Sequence, residues 1–200
     1  MAEMILTIEI ALPSYAQGKN IRSLLPQKLW DKVRKEIFND NKNRCQICGN
    51  ESHLEGHEVW EFDIDNCVLH LKDIESLCKL CHSVKHFNNT IINSKNMDYV
   101  IEHFMHVNNC SKEEFKKHLR EQKENHPRNP HYYFKFPIEQ RIKERKKYIA
   151  EEKRLEKQIW RFSMDKETPF YDEIKNCVTK QGFILRGNKI EIVLNNYFSH

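Results

Sequence analysis

The sequence predicts an α+β protein: a zinc-braced ββα module embedded in a mostly helical chain, with an N-terminal strand and a C-terminal β-hairpin. Three observations carry this. Two Cys-x-x-Cys pairs, Cys45/Cys48 and Cys78/Cys81, enclose a stretch rich in β-branched and aromatic residues, Leu54 to Leu71. A histidine pair at helical spacing, His82 and His86, directly follows the second pair. Beyond Asn88 the apolar residues recur mainly at helical intervals.

Met4 to Leu12 alternates Ile and Leu with Thr and Glu, the pattern of a strand. It contains Glu9 and has neither a positive leader nor a small-residue cleavage site, so no signal peptide or membrane span is expected. Pro13 to Asn20 reads as a loop, and Pro26 stands where a helix would begin. Leu29, Trp30, Val33, Ile37 and Phe38 then recur at helical spacing up to the breaker run Asn39–Asn43. Gly56 and its β-prone neighbours fit a hairpin, and a short helix is expected from about Cys81 to Asn88.

Tyr99, Val100, His103, Phe104 and Val107 share a helical face, and Ser111-x-x-Glu114 makes a capping box for the next helix. After a turn at Asn125–Pro130, a charged helix is expected from Pro137 to about Phe162, with Ile138, Ile142, Ile149, Leu155, Ile159 and Phe162 as its stripe. Gly182 to Leu194 reads as a hairpin turning at Gly187–Asn188. The segments are therefore 1–25 (strand and loop), 26–90 (metal module), 91–130 (helical pair), 131–166 (long basic helix) and 167–200 (small helix and hairpin unit).

With 39% apolar and 31% charged residues, the 200-residue chain has the balance of a globular protein. Seven cysteines, four of them in Cys-x-x-Cys pairs, argue for metal binding in a reducing, intracellular compartment. Cys67, Cys110 and Cys177 stand alone and read as buried or free thiols. Lys112 to Lys166 holds 17 Lys/Arg against 10 Asp/Glu, whereas Glu51 to Asp65 carries six acids and no base. The second half can therefore meet phosphate, and Arg141, Lys143, Arg145, Lys146 and Lys147 are its candidate contacts. The bland alternative is a solvated helix that packs on its own domain or on a second copy, giving a homodimer through residues 137–162.

Two knuckles of Cys-x-x-Cys satisfy tetrahedral Zn²⁺ with no open position, so that ion is structural. His82 and His86 supply half of another metal site, and His57, inside the zinc-closed loop, is the candidate third ligand. His53 and His70 read as surface or structural residues, and Trp60 and Phe62 as hairpin core.

The stretches Cys45-Gln-Ile-Cys-Gly49, Leu54-Glu-Gly-His-Glu58 and Asp73 to His86 resemble the HNH endonuclease family, over roughly Leu24 to Phe87. The resemblance is in detail to a bacterial and phage subgroup with His-Glu-Val-Trp-Glu in the hairpin, matched by His57 to Glu61, and Phe104 to Glu114 resembles its continuation. It implies a ββα-metal fold, a structural Zn²⁺, and one catalytic divalent ion (Zn²⁺, Mn²⁺, Ni²⁺ or Mg²⁺) on His57, His82 and His86. It also implies DNA as partner, with a protein partner as alternative, and no membrane. The family's base histidine is replaced here by Glu58, and its supporting Asn by Asp73. Glu58 is then general base, extra ligand or partner of a ligand histidine, or the site is degenerate and binds without cutting.

Overall fold

In the computed structural model, residues 4–9, 20–87, 97–127, 130–179, 184–186 and 189–193 are described. Among them the chain is mixed α+β. Its helices are α1 (Ile21–Leu24), α2 (Gln27–Asp40), α3 (Lys79–Lys85), α4 (Met97–Asn108), α5 (Lys112–Glu124), α6 (Ile138–Glu156) and α7 (Tyr171–Thr179), with a 3-10 helix at Pro130–Lys135. Its strands are β1 (Leu54–Asp63), β2 (Val68–Cys78), β3 (Arg161–Met164), β4 (Ile184–Arg186) and β5 (Lys189–Val193), in the sheet order β1-β2-β3-β5-β4. The chain divides into two compact units, one of residues 1–12, 44–55 and 77–153, the other of residues 13–43, 56–76 and 154–200. β1 and β2 run through both.

The first unit is built on α3, α4 and α5. Its core gathers Leu6, Ile8, Cys45, Leu77, Cys78, Cys81, Val84, Phe87, Val100, Phe104 and Phe115. Phe115 receives the edges or faces of Phe87 and Phe104 at centroid distances of 5.5 and 5.1 Å, contacts worth about 0.5–1.5 kcal/mol each beyond area burial. The expected capping box at the start of α5 is present: Ser111 Oγ accepts from the Glu114 N–H while the Glu114 carboxylate accepts from the Ser111 N–H.

The expected N-terminal strand is not formed over the described residues 4–9. Leu6 and Ile8 are buried while Ile5 is exposed, so the alternation is real, but side chains and one carbonyl of α3, not a neighbouring strand, take the backbone hydrogen bonds. The Leu6 N–H donates to Asn108 Oδ1 (3.0 Å), Asn108 Nδ2 donates to the Leu6 carbonyl (2.8 Å), and the Ile8 N–H donates to His118 Nε2 (3.2 Å). The Glu9 N–H reaches the Lys85 carbonyl, and the Glu9 carboxylate pairs with Lys85 Nζ at 3.0 Å. Residues 10–12 of that expected strand, the loop at 13–19, and Asn88 lie outside the described residues.

In the second unit, four residues join β1 to β2, too few for a parallel crossover, so the two strands form the expected hairpin. Pro26 is the N-cap of α2 rather than its first helical residue, and Lys42 and Asn43 end the helix in the left-handed region. α2 buries Trp30, Val33 and Ile37. Gly56 lets α2 approach β1 closely: a Cβ there would lie 3.2 Å from Arg34 Cγ and 3.4 Å from the Trp30 ring.

The expected helix over 137–162 is two elements. α6 stops at Glu156, and Phe162 belongs to β3, parallel to β2 with His70 opposite Ser163. Leu155, Ile159 and Phe162 fit a helical stripe, but Trp160, Phe162 and Met164 alternate with period two, and the second pattern prevails. β3 lies between β2 and β5, and Phe162, Ser163 and Met164 are all buried, as an interior strand requires. His70 has the structural role expected of it: Nδ1 pairs with Ser163 Oγ at 2.6 Å and Nε2 with Asp165 Oδ2 at 3.1 Å, pinning the register. Trp60 packs edge-on against Phe162 at 5.7 Å. β4 and β5 form the expected C-terminal hairpin, with Arg186 opposite Lys189; the turn residues Gly187 and Asn188 lie outside the described residues.

The Ile8 bond generates a pH prediction. His118 must keep Nε2 unprotonated to accept it, and burial holds the imidazole below its ordinary value of 6.5. The unfolded chain then binds the extra proton first, so stability is full above about pH 6.5 and falls as pH drops below it. Urea midpoints measured between pH 8 and 5 should decline through that window, and His118→Gln should flatten the decline.

Candidate metal centre

The first unit brings Cys45, Cys48, Cys78 and Cys81 together, with their four sulfurs within 4.8 Å of one another. Local chain geometry makes each knuckle. The Gly49 N–H returns to the Cys45 carbonyl (2.9 Å) and the Cys45 N–H bonds the Asn50 carbonyl (2.8 Å). Gly49 turns at φ +75°, a left-handed conformation that glycine enters without steric cost. Cys78 closes β2 and caps α3, its sulfur accepting from the Cys81 N–H. A bond from the Lys79 N–H to the His53 carbonyl (3.1 Å) ties the chain before β1 to the start of α3.

The donor set fits a tetrahedral metal. Cys48 Sγ and Cys78 Sγ are 3.6 Å apart, far beyond a disulfide bond, while Zn–S bonds of about 2.3 Å place neighbouring sulfurs about 3.8 Å apart. Four crowded thiols conflict over protons. Accepting from the Cys78 and Cys81 thiols drives Cys45 far below its ordinary range, whereas donating to Cys45 pushes Cys78 up to about 11 and Cys81 further. A bound divalent cation removes the conflict, because all four can then be thiolates. The cluster can hold a structural metal such as zinc.

Sequence reasoning missed a partner of this cluster. His103 Nε2 on α4 lies 3.1 Å from Cys81 Sγ, placed to donate to that sulfur, and burial lowers its basicity. Its apolar neighbours suggest only a helix face.

The second group is His57, His82 and His86, one nitrogen of each ring lying within 4.8 Å of the others. His57 is on β1 and 2% exposed. α3 starts at Lys79, earlier than the expected Cys81, and ends at Lys85, so His82 is helical and His86 is the C-cap, its N–H bonded to the His82 carbonyl at 3.0 Å. Their rings meet edge to face at 4.7 Å. Glu55, two positions before His57 on the same face of β1, accepts a hydrogen bond from or shares a proton with His82 Nδ1. In the sequence, Glu55 stands out only as one of six acids.

Glu58 is not in that group. Its Oε1 accepts from the Arg22 N–H at the start of α1 (3.0 Å) and its Oε2 from Trp60 Nε1 (2.9 Å). Burial raises its pKa, against the pull of those donors. The Asp73 carboxylate on β2 accepts the Ile74 N–H at 2.8 Å. His53 is exposed, with φ +50°. On α6, Lys143, Arg145, Lys146 and Lys147 are exposed, while Arg141 binds the Phe136 carbonyl (3.0 Å) and the Phe134 carbonyl (3.3 Å). Cys67, Cys110 and Cys177 are part-buried and form no disulfide. No helix among the described residues is long and apolar enough to cross a membrane.

Compared with models of known protein families, with curated proteins and with solved structures, the chain matches none.

Because structural zinc contributes folding free energy outright, Cys48→Ser should lower zinc content by about one ion per chain and depress the thermal midpoint. Elemental analysis alongside a melting curve checks both; an unchanged zinc content would remove the metal from this cluster.

Proposed function

We propose that this chain is a metal-dependent endonuclease of the HNH type, hydrolysing DNA phosphodiester bonds. What carries the reading is the group of three histidines at the junction of a β-hairpin and a short helix, beside a four-cysteine cluster that closes the same loop. A structural cluster already braces that loop, so three further clustered imidazoles, one of them nearly fully buried, are not needed for folding.

His57, His82 and His86 would hold one divalent ion. Imidazole donors favour Zn²⁺, Mn²⁺ or Ni²⁺, with Mg²⁺ the least suited. Such an ion supplies Lewis acidity to a phosphate oxygen. Glu55 fixes the ring orientation of His82 through Nδ1, which leaves Nε2 for the ion. Glu58 would be the base that takes the proton from the attacking water, and to do so its carboxylate has to turn away from the Arg22 N–H and Trp60 Nε1 that hold it. Asp73, at the position of the family's supporting Asn, would act through the bond its carboxylate accepts from the Ile74 N–H.

One observation favours a second reading, in which the module binds nucleic acid or a protein without cutting. Both Glu58 oxygens already accept hydrogen bonds within the fold, which is also what a purely bracing carboxylate would do.

His82→Ala should abolish metal-dependent DNA nicking by a chain that keeps its four-cysteine zinc, and Glu55→Gln should weaken binding of the second ion about 10–100-fold. Nicking assays with calorimetric metal titration test both. A folded, fully metal-loaded chain that cleaves no nucleic acid would sink the nuclease reading in favour of the binding module.

A further inference from the structure

We propose that the 3-10 helix at Pro130–Lys135 and the exposed face of α6 form a binding platform for single-stranded nucleic acid. This deepens the nuclease reading by naming the form of the substrate, but it stands on different residues of the first unit and does not require the metal.

Phe134 is 58% exposed, with the His131 ring edge-on to it at 5.0 Å. Cations sit among the rings: Arg141 lies 4.9 Å from the Phe134 centroid and Lys135 Nζ 3.5 Å from that of Tyr132. At 3.6 residues per turn, Ile138, Ile142, Arg145 and Ile149 share one face of α6, bordered by Arg141 and Lys146. Ile138 and Ile142 are 74% and 69% exposed. From Pro130 to Lys147 there are six Lys/Arg against two Glu.

This combination selects its occupant. An apolar protein partner would leave the cations unmatched. A second copy of the chain would bring Arg145, in the middle of the stripe, against a face of its own sign. A duplex presents phosphates to the cations but keeps its base faces stacked and out of reach of Phe134. A single strand offers phosphates and free base faces together, which is what an exposed aromatic ring among cations recognises.

The test is fluorescence anisotropy of a labelled 20-nucleotide oligo-dT and of a 20-base-pair duplex, on the full chain without added divalent ion. The single strand should bind more tightly than the duplex. Phe134→Ala, at an exposed position, should weaken oligo-dT binding by about tenfold. Arg145→Ala with Lys146→Ala should reduce the salt slope by about 0.7 for each phosphate no longer neutralised. Duplex binding as tight as oligo-dT, or no effect of Phe134→Ala, overturns the proposal. So does sedimentation showing a dimer that Ile142→Glu dissociates while oligo-dT binding stays the same, since the face then belongs to a second copy. Nicking that needs His82 but is indifferent to Phe134 overturns the platform and leaves the nuclease; single-strand binding without any nicking does the reverse.

Discussion

Four sulfurs meeting at one point constrain the first unit more than any other interaction. Cys45, Cys78 and Cys81 belong to its buried core, so the cluster is part of the packing. Structural zinc binds zinc-finger peptides with apparent free energies of about 10–16 kcal/mol, as large as the whole stability of a typical domain, about 5–15 kcal/mol. Hydrophobic contacts around Phe104 and Phe115 refine a structure whose loop closure the metal can supply. Cys78 makes the coupling direct, since one residue ends β2, belongs to the cluster and caps α3.

That coupling positions the histidines. α3 has seven residues, too short to be stable by itself, and it is held at its start by Cys78 and Cys81. His82 follows Cys81 directly and His86 closes the helix, so the angle at which both imidazoles present themselves derives from the cysteine cluster. Glu55 adds the remaining restraint on His82 from β1. Glu58 works in the opposite sense: its carboxylate spends its hydrogen bonds on α1 and Trp60, within the second unit.

The parts legible in the sequence are those set by short-range rules. Cysteine spacing, the i, i+4 histidines, the Ser111 capping box and the C-terminal hairpin each depend on residues close together in the chain, and each is found. What the sequence misleads on depends on distant partners. Residues 4–9 alternate like a strand, yet Asn108 and His118, more than 100 positions away, take its hydrogen bonds. The end of the expected long helix carries two overlapping apolar periods, and only the place of β3 between β2 and β5 decides between them. Glu55 and His103 are invisible for a similar reason, since nothing local distinguishes an acid or histidine that will face a ligand from one that faces water.

The parallel pairing of β2 with β3 joins Val68–Leu71 to Arg161–Met164, with the whole of α3 to α6 made in between. During synthesis at about 5–20 residues per second, all four cysteines leave the ribosome several seconds before β3 exists. Assembly of the cysteine cluster and completion of the sheet are thus separated in time. Until β3 arrives, Leu69 and Leu71 on β2, both buried in the finished sheet, have no partner strand on that side. Before β3 is made, the nascent chain therefore carries an incomplete apolar strand edge while its four clustered cysteines are already present, a combination open to aggregation and, where no metal occupies the thiols, to oxidation as well.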